Sequence, residues 1–142
     1  LPKATMLTHN NMISNLLQMD QGEMRFFTKD DVTISPLPMF HIYAFHVSLS
    51  ANLYSGVPLI TMSKFSLERF CQLVQEYKCT RAHLVPPIIL QLSKSHIVDQ
   101  YNLKSLKVAL SAAAPLSSDI ELECRTRIGC IVKQAWGMTE VS

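Results

Sequence analysis

At 142 residues, 48% hydrophobic and 17% charged, the chain has the length of one domain but more apolar groups than an average soluble one. A net charge of +2, with Lys and Arg scattered along the chain, excludes a nucleic-acid footprint. No apolar run reaches the roughly 18 residues that cross a bilayer, since Ile42 to Tyr54 is broken by His46, Ser48, Ser50 and Asn52.

At the front, Asn10 or Asn11 is placed to cap a helix on which Met12, Ile13, Leu16 and Leu17 share a face. Gly22 to Asp31 is a polar connection. Val32-Thr-Ile-Ser35 reads as a buried strand before Pro36. Ile42 to Tyr54 follows as a helix with Ile42, Phe45, Leu49 and Leu53 at helical spacing, ended by Gly56. Val57 to Met62 is the next strand, its proline near the start, where a missing donor costs least. Ser66 caps a helix whose stripe is Leu67, Phe70, Cys71 and Val74. Ala82-His-Leu-Val85 is a strand ended by Pro86-Pro87, and Ile88 to Ser95 is a short helix. Asp99 to Lys104 is a second polar connection, and Leu106 to Leu110 a further strand. Ser118-Asp-Ile-Glu121 has capping-box spacing, with Ser118 as the cap of a helix running to about Arg127, and Ile131-Val-Lys133 is the last strand.

This alternation, without a repeat or low-complexity linker, predicts an α/β domain or part of one, with a largely parallel sheet and helices on both faces. Cys71, Cys79, Cys124 and Cys130 have no Cys-x-x-Cys spacing and read as reduced, buried thiols of an intracellular protein. His9, His46, His83 and His96 stand in no constellation that suggests a metal or nucleophile, so each reads as an ordinary core or surface histidine.

In open parallel sheets, ligands gather beyond the carboxyl ends of the strands, where loops and helix N-termini supply donors. Pro36 to His41, Ala112 to Pro115 and Ala135 to Glu140 all fall at such ends, which predicts a shared cleft.

Four segments in order, Leu1-Pro-Lys3, Pro36-Leu-Pro-Met-Phe-His41, Ser111-Ala-Ala-Ala-Pro115 and Gln134-Ala-Trp-Gly-Met-Thr-Glu140, give a resemblance to the adenylate-forming, AMP-binding superfamily. Its 4-coumarate–CoA ligase, acyl-CoA synthetase and luciferase-like members are the nearest in pattern. The resemblance implies part of the large N-terminal domain, without the glycine-rich half of the phosphate loop, the ribose-binding Asp region or the C-terminal domain with its catalytic lysine. Such a piece is expected to be inactive alone.

The implied cofactors and substrates are ATP, Mg²⁺, CoA and a carboxylic acid. By resemblance, Lys3 neutralises charge on the leaving pyrophosphate, and Thr139 hydrogen-bonds the α-phosphate. Glu140 holds Mg²⁺ through ATP, oxygen ligands being what that cation prefers. Ala113, Ala114, Pro115, Gln134, Ala135, Trp136, Gly137 and Met138 line the nucleotide, with Trp136 stacking on adenine. His41 lies by the reacting carboxylate, Tyr43, Val47, Ala113 and Ala135 shape an apolar acyl slot, and Lys64 matches a CoA-phosphate contact. The chain departs from the family at Ala4, Ala112 and Ala135, each standing where glycine is usual; at Ala112 the change removes positive-φ freedom.

The function implied is activation of an aromatic or fatty acid to an acyl-adenylate, then thioester formation with CoA. The alternatives are a non-catalytic nucleotide- or acyl-binding homologue, a luciferase-like monooxygenase, and an unrelated α/β interaction module. Cytosolic or peroxisomal placement, and the oligomeric state, are not written in these residues.

Overall fold

A computed structural model describes residues 3–21 and 27–141. Leu1, Pro2 and the first half of the Gly22 to Asp31 connection lie outside the described residues.

Helix α1 (His9–Met19) starts one residue before the predicted caps. Thr8 is the cap: its hydroxyl accepts from Asn11 N–H at 3.1 Å, and the Asn11 side-chain oxygen accepts from Thr8 N–H at 3.0 Å. Asn11 thus plays the part usually taken by Glu or Gln in a capping box. Of its predicted apolar face, Ile13 and Leu17 are exposed, while Leu16, joined by Met19 from outside that face, packs beside Phe27, Ala51 and Val57.

Strands β1 (Thr33–Ser35), β2 (Leu59–Thr61), β3 (Arg81–Leu84), β4 (Val108–Ser111) and β5 (Ile131–Gln134) form one parallel sheet in the order β2-β1-β3-β4-β5. Between them run a π-helix (Tyr43–Ser50) continuing into α2 (Ala51–Ser55), then α3 (Leu67–Tyr77), α4 (Pro86–Lys94) and α5 (Ser118–Ile128). Ser66 caps α3 as predicted, and Leu67, Phe70, Cys71 and Val74 are buried on it. Pro86-Pro87 does not separate β3 from a later helix but opens α4, since the first helical turn has no use for the missing donors. The cap of α5 is Ser117, not Ser118: its hydroxyl accepts from Ile120 N–H, so Glu121 falls one position beyond a capping box. A 3₁₀ turn at His96–Gln100, absent from the sequence reading, bridges α4 to the polar connection before β4.

The two faces of the sheet differ. Ile34, Ala82, Leu84, Ala109 and Val132 pack with Phe70, Val74, Ile89, Leu92 and Cys124 in one apolar core under α3, α4 and α5. The π-helix lies on the other face, where Tyr43 and Ala44 meet Leu110, and Ser48 meets Ser35 and His83. Right-handed crossovers explain this: the path from β1 to β2 runs opposite to the path from β2 through β3 to β5, so its helix falls on the opposite face. Winding therefore reverses between β1 and β3.

The amino ends of these central strands are fastened by Asp31. Burial alone would raise its carboxyl, but hydrogen bonds from the Thr80 hydroxyl (2.6 Å), Thr28 N–H (2.8 Å) and Arg81 Nε (2.8 Å) hold it down to about 2. All four cysteines are free and buried, as expected, and burial pushes the Cys71 and Cys79 thiols up to about 11.

Candidate active site

Parallel pairing puts the loops after all five strands on one edge, and a doubly wound sheet offers its binding crevice where the winding reverses. That point is flanked by Pro36 to His41 after β1 and by Val85 after β3. Leu37, Met39, Tyr43, Ala44, Val47, Val85, Leu110 and Ala112 pack together there. The next turns are tied on in series, Ala112 N–H to Leu84 O at 3.2 Å and Ala135 N–H to Ser111 O at 2.9 Å. The structure thus links the β1, β4 and β5 loops that the sequence places together, and adds the one after β3.

The segment after β1 departs most from its reading. An α-helix from Ile42 would bury Phe45 and Leu53, but these are 46% and 73% exposed, while Tyr43, Ala44, His46, Ser48, Ala51 and Asn52 are buried. The π-helix is held by polar side chains. Tyr43 N–H donates to His41 Nδ1 at 3.1 Å, Ser50 Oγ to Phe45 O at 2.9 Å and Asn52 Nδ2 to Ser48 O at 2.6 Å. Residues that merely interrupted an apolar run in the sequence are thus what sustains this less favourable helix. Because His41 Nδ1 accepts, its proton is on Nε2, and the ring lies exposed at the mouth of the cleft.

Tyr43 is buried, and burial pushes its phenol up; its hydroxyl donates to Leu110 O at 2.9 Å, joining the π-helix to the strand that enters the Ser111 turn. The Tyr43 hydroxyl is thereby committed to the protein itself. Beneath it lies a group that sequence reasoning left as an ordinary histidine. His83 stacks on Tyr43 with ring centroids 6.2 Å apart, and its Nδ1 lies 2.8 Å from Ser48 Oγ, which in turn donates its one proton to Ser35 Oγ at 3.1 Å. Burial, with Arg81 close by, pushes His83 down to about 3, so it is neutral. The only signal in the sequence was a polar residue at the centre of a strand. His46, also lowered by burial, takes Asn15 of α1 at 3.0 Å, while its Nδ1 is buried without a partner.

In the Ser111 turn the positive φ falls on Ala113 (φ 75), not on Ala112. Ala112 is buried in regular backbone contact with Leu84, so an alanine there forfeits no positive-φ freedom. Ala113 holds a left-handed conformation at a cost of roughly 1–2 kcal/mol. Gln134 braces this turn: its Oε1 accepts from Leu116 N–H at 3.1 Å and its Nε2 donates to Glu121 at 2.9 Å. That occupies both ends of the Gln134 side chain.

Beyond β5, Ala135, Gly137, Met138, Thr139 and Glu140 are exposed, and Trp136 is 82% exposed, its indole faces uncovered by this chain. Ala114 and Pro115 are likewise exposed beside Ala113, and Lys64 is exposed after β2. Lys3 is exposed on the segment entering α1, which packs on α2 near the β1–β2 side, whereas Thr139 and Glu140 follow the opposite edge strand. No hydrogen bond or ion pair joins Lys3 to either among the described residues. A concavity of about 450 Å³ lies instead at the amino end of β4, lined by Asp99, Lys104 and Arg127, and contains none of the motif residues.

The whole chain, residues 1–142, matches the family described as AMP-binding enzyme. The chain belongs to that family. Among curated AMP-binding relatives, a 4-coumarate–CoA ligase of Pinus taeda is 42% identical over 143 aligned positions, covering 99% of this chain and 27% of that protein. Among solved structures, ATP-bound MatB from Rhodopseudomonas palustris superimposes with a TM-score of 0.85 at 29% identity, over 96% of this chain and 26% of that one. A long-chain-fatty-acid-CoA ligase from Archaeoglobus fulgidus also gives 0.85, at 27% identity, over 99% of this chain and 29% of that one. The five-stranded parallel sheet is thus the AMP-binding fold, and the chain spans about a quarter of the length of these relatives. Among the described residues, no helix is long and apolar enough to cross a membrane.

Proposed function

We propose that the protein carrying this chain is an acid–thiol ligase that activates an aromatic or fatty acid with ATP and passes it to CoA. In the first half-reaction a carboxylate oxygen attacks the α-phosphate, forming an acyl-adenylate and releasing pyrophosphate. In the second, the CoA sulfur attacks the acyl carbon and AMP leaves. The observation that carries this reading is the series of hydrogen-bonded loops at the winding reversal, in a chain of the AMP-binding family.

Each step is mostly positioning and charge neutralisation. Thr139 is assigned to the α-phosphate, the Ala113-Ala114-Pro115 turn and the Ala135 to Met138 backbone to the nucleotide, and Trp136 to the adenine face. Lys3 is assigned to the departing pyrophosphate. His41, a donor through Nε2, faces the carboxylate, and Tyr43, Val47 and Ala135 bound the acyl slot. Lys64 is assigned to a CoA phosphate. No group of three His, Cys, Asp or Glu residues able to hold a metal occurs among the described residues. The exposed Glu140 carboxylate therefore fits Mg²⁺ only as an ion shared with ATP phosphates, where it would neutralise their charge. In this assignment the 142-residue chain is part of the nucleotide-binding domain and does not turn over alone.

The test is acid-dependent ATP–pyrophosphate exchange by the whole protein against aromatic and fatty acids, alongside Glu140→Gln. Exchange that depends on an acid and is lost in the variant is expected. ATP binding without exchange on any acid would replace this reading with a non-catalytic nucleotide-binding homologue.

A further inference from the structure

His83 lies on the π-helix side of the sheet, between the ring of Tyr43 on one flank and that of Phe27, 6.1 Å away, on the other. The pairing of Ile34 with Ala82 brings the next residues, Ser35 and His83, side by side on adjacent strands. Ser48 descends from the π-helix onto both of them, 3.1 Å from Ser35 Oγ and 2.8 Å from His83 Nδ1. The same helix presents Tyr43 and Val47 to the candidate acyl slot, and Tyr43 reaches Leu110 O, one residue before the Ser111 turn. The rotation of this helix on the sheet, and with it the depth of the slot, is therefore held from below by the hydrogen bonds of Ser48 and Tyr43 and by the ring contact, and His83 takes part in two of these holds. An apolar residue at 83 would leave Ser48 to Ser35 alone and take away the ring on which Tyr43 stacks.

We propose that His83 is a positioning residue for the acid, holding the π-helix through Ser48 and Tyr43 so that the slot keeps one width. This rests on the ligase reading above, and His83 itself, buried in β3, touches no substrate in it. Such a device acts first on acid binding and selectivity, because the turns assigned to ATP have further holds of their own, Ala112 N–H to Leu84 O, Leu116 N–H to the Gln134 side chain and Ala135 N–H to Ser111 O.

The experiment compares His83→Leu, His83→Asn and Ser48→Ala in the whole protein, using exchange kinetics with acids of graded length. A buried hydrogen bond lost to Leu is expected to raise the KM for the best acid by about tenfold and flatten the preference among acids, with the KM for ATP unchanged. Asn can still bond to Ser48 and should recover the acid KM to within about threefold, while Ser48→Ala should follow Leu. An equal rise in both KM values, no change in either, or an Asn variant no better than Leu would overturn the proposal. If the Leu variant does not fold, an unaltered acid KM in Ser48→Ala overturns it by itself. If the unmodified protein shows no acid-dependent exchange, the ligase reading fails and this inference fails with it; exchange that is normal but insensitive to these variants sinks the inference alone.

Discussion

On one face of the sheet, Ile34, Leu84 and Ala109 meet Phe70, Ile89 and Leu92 in an apolar core. On the other, Ser35 and His83 meet Ser48 and Tyr43 through hydrogen bonds and a ring contact. Apolar packing is non-directional and tolerates volume-conserving exchange, so it supplies stability without fixing a single rotation of the helices above it. A buried polar network is directional; satisfied, it specifies one arrangement, and half-satisfied, it is costly. The candidate cleft opens over the hydrogen-bonded face, where position matters more than bulk burial.

Breaking the apolar face should cost most. Phe70→Ala removes a fully buried ring and is expected to lower stability by about 3–5 kcal/mol in denaturant titration, without altering the ratio of acid to ATP KM. The polar side should be the more sensitive to acid. The Asp31 carboxyl, held at about 2 against an ordinary 3.8, contributes stability that is present above about pH 4 and is lost as pH falls through about 2. Asp31→Asn should therefore cost about 2 kcal/mol at pH 7, and the gap to the unmodified protein should close across that window in pH-dependent melts. His83, lowered to about 3 from 6.5, adds a loss that begins below pH 6.5, so His83→Asn should flatten the slope from there toward pH 3.

Ser48→Ala strips His83 Nδ1 of this partner and should cost about 1.5 kcal/mol, the penalty of a buried polar group left unmade. The smallest effect lies in the turn after β4. Ala113→Gly relieves a positive φ but loosens the unfolded chain, for a net gain of about 0.5 kcal/mol in thermal melts. Ala112→Gly, with no strain to relieve, should give no gain.

The apolar face was legible in the sequence because its signals are local. Ser66 and the stripe Leu67, Phe70, Cys71 and Val74 announce α3, and short β-branched runs mark the strands to within a residue or two. The order of site segments was legible too, since parallel strands leave all their carboxyl-end loops on one edge. What escaped depends on partners far along the chain. Ser48 and Asn52 read as flaws in an apolar helix because Ser35 and His83, which explain Ser48, lie 13 and 35 positions away. The displaced strain at Ala113 escaped for another reason: backbone dihedrals in a turn of three alanines leave no trace in composition. The caps moved from Asn10 or Asn11 to Thr8, and from Ser118 to Ser117, because adjacent polar residues compete and only the backbone path decides among them.

A helix with i→i+5 bonds winds more residues into each turn than an α-helix does, so Tyr43–Ser50 carries length that an ordinary helix would not need. Shortening the chain by one residue between Phe45 and Val47 would let the segment close into the commoner i→i+4 pattern. That repair would swing Tyr43 off Leu110 and part Ser48 from His83. The number of residues in this loop-to-helix passage is thus itself a specification, and a deletion that improves the helix would spoil the slot.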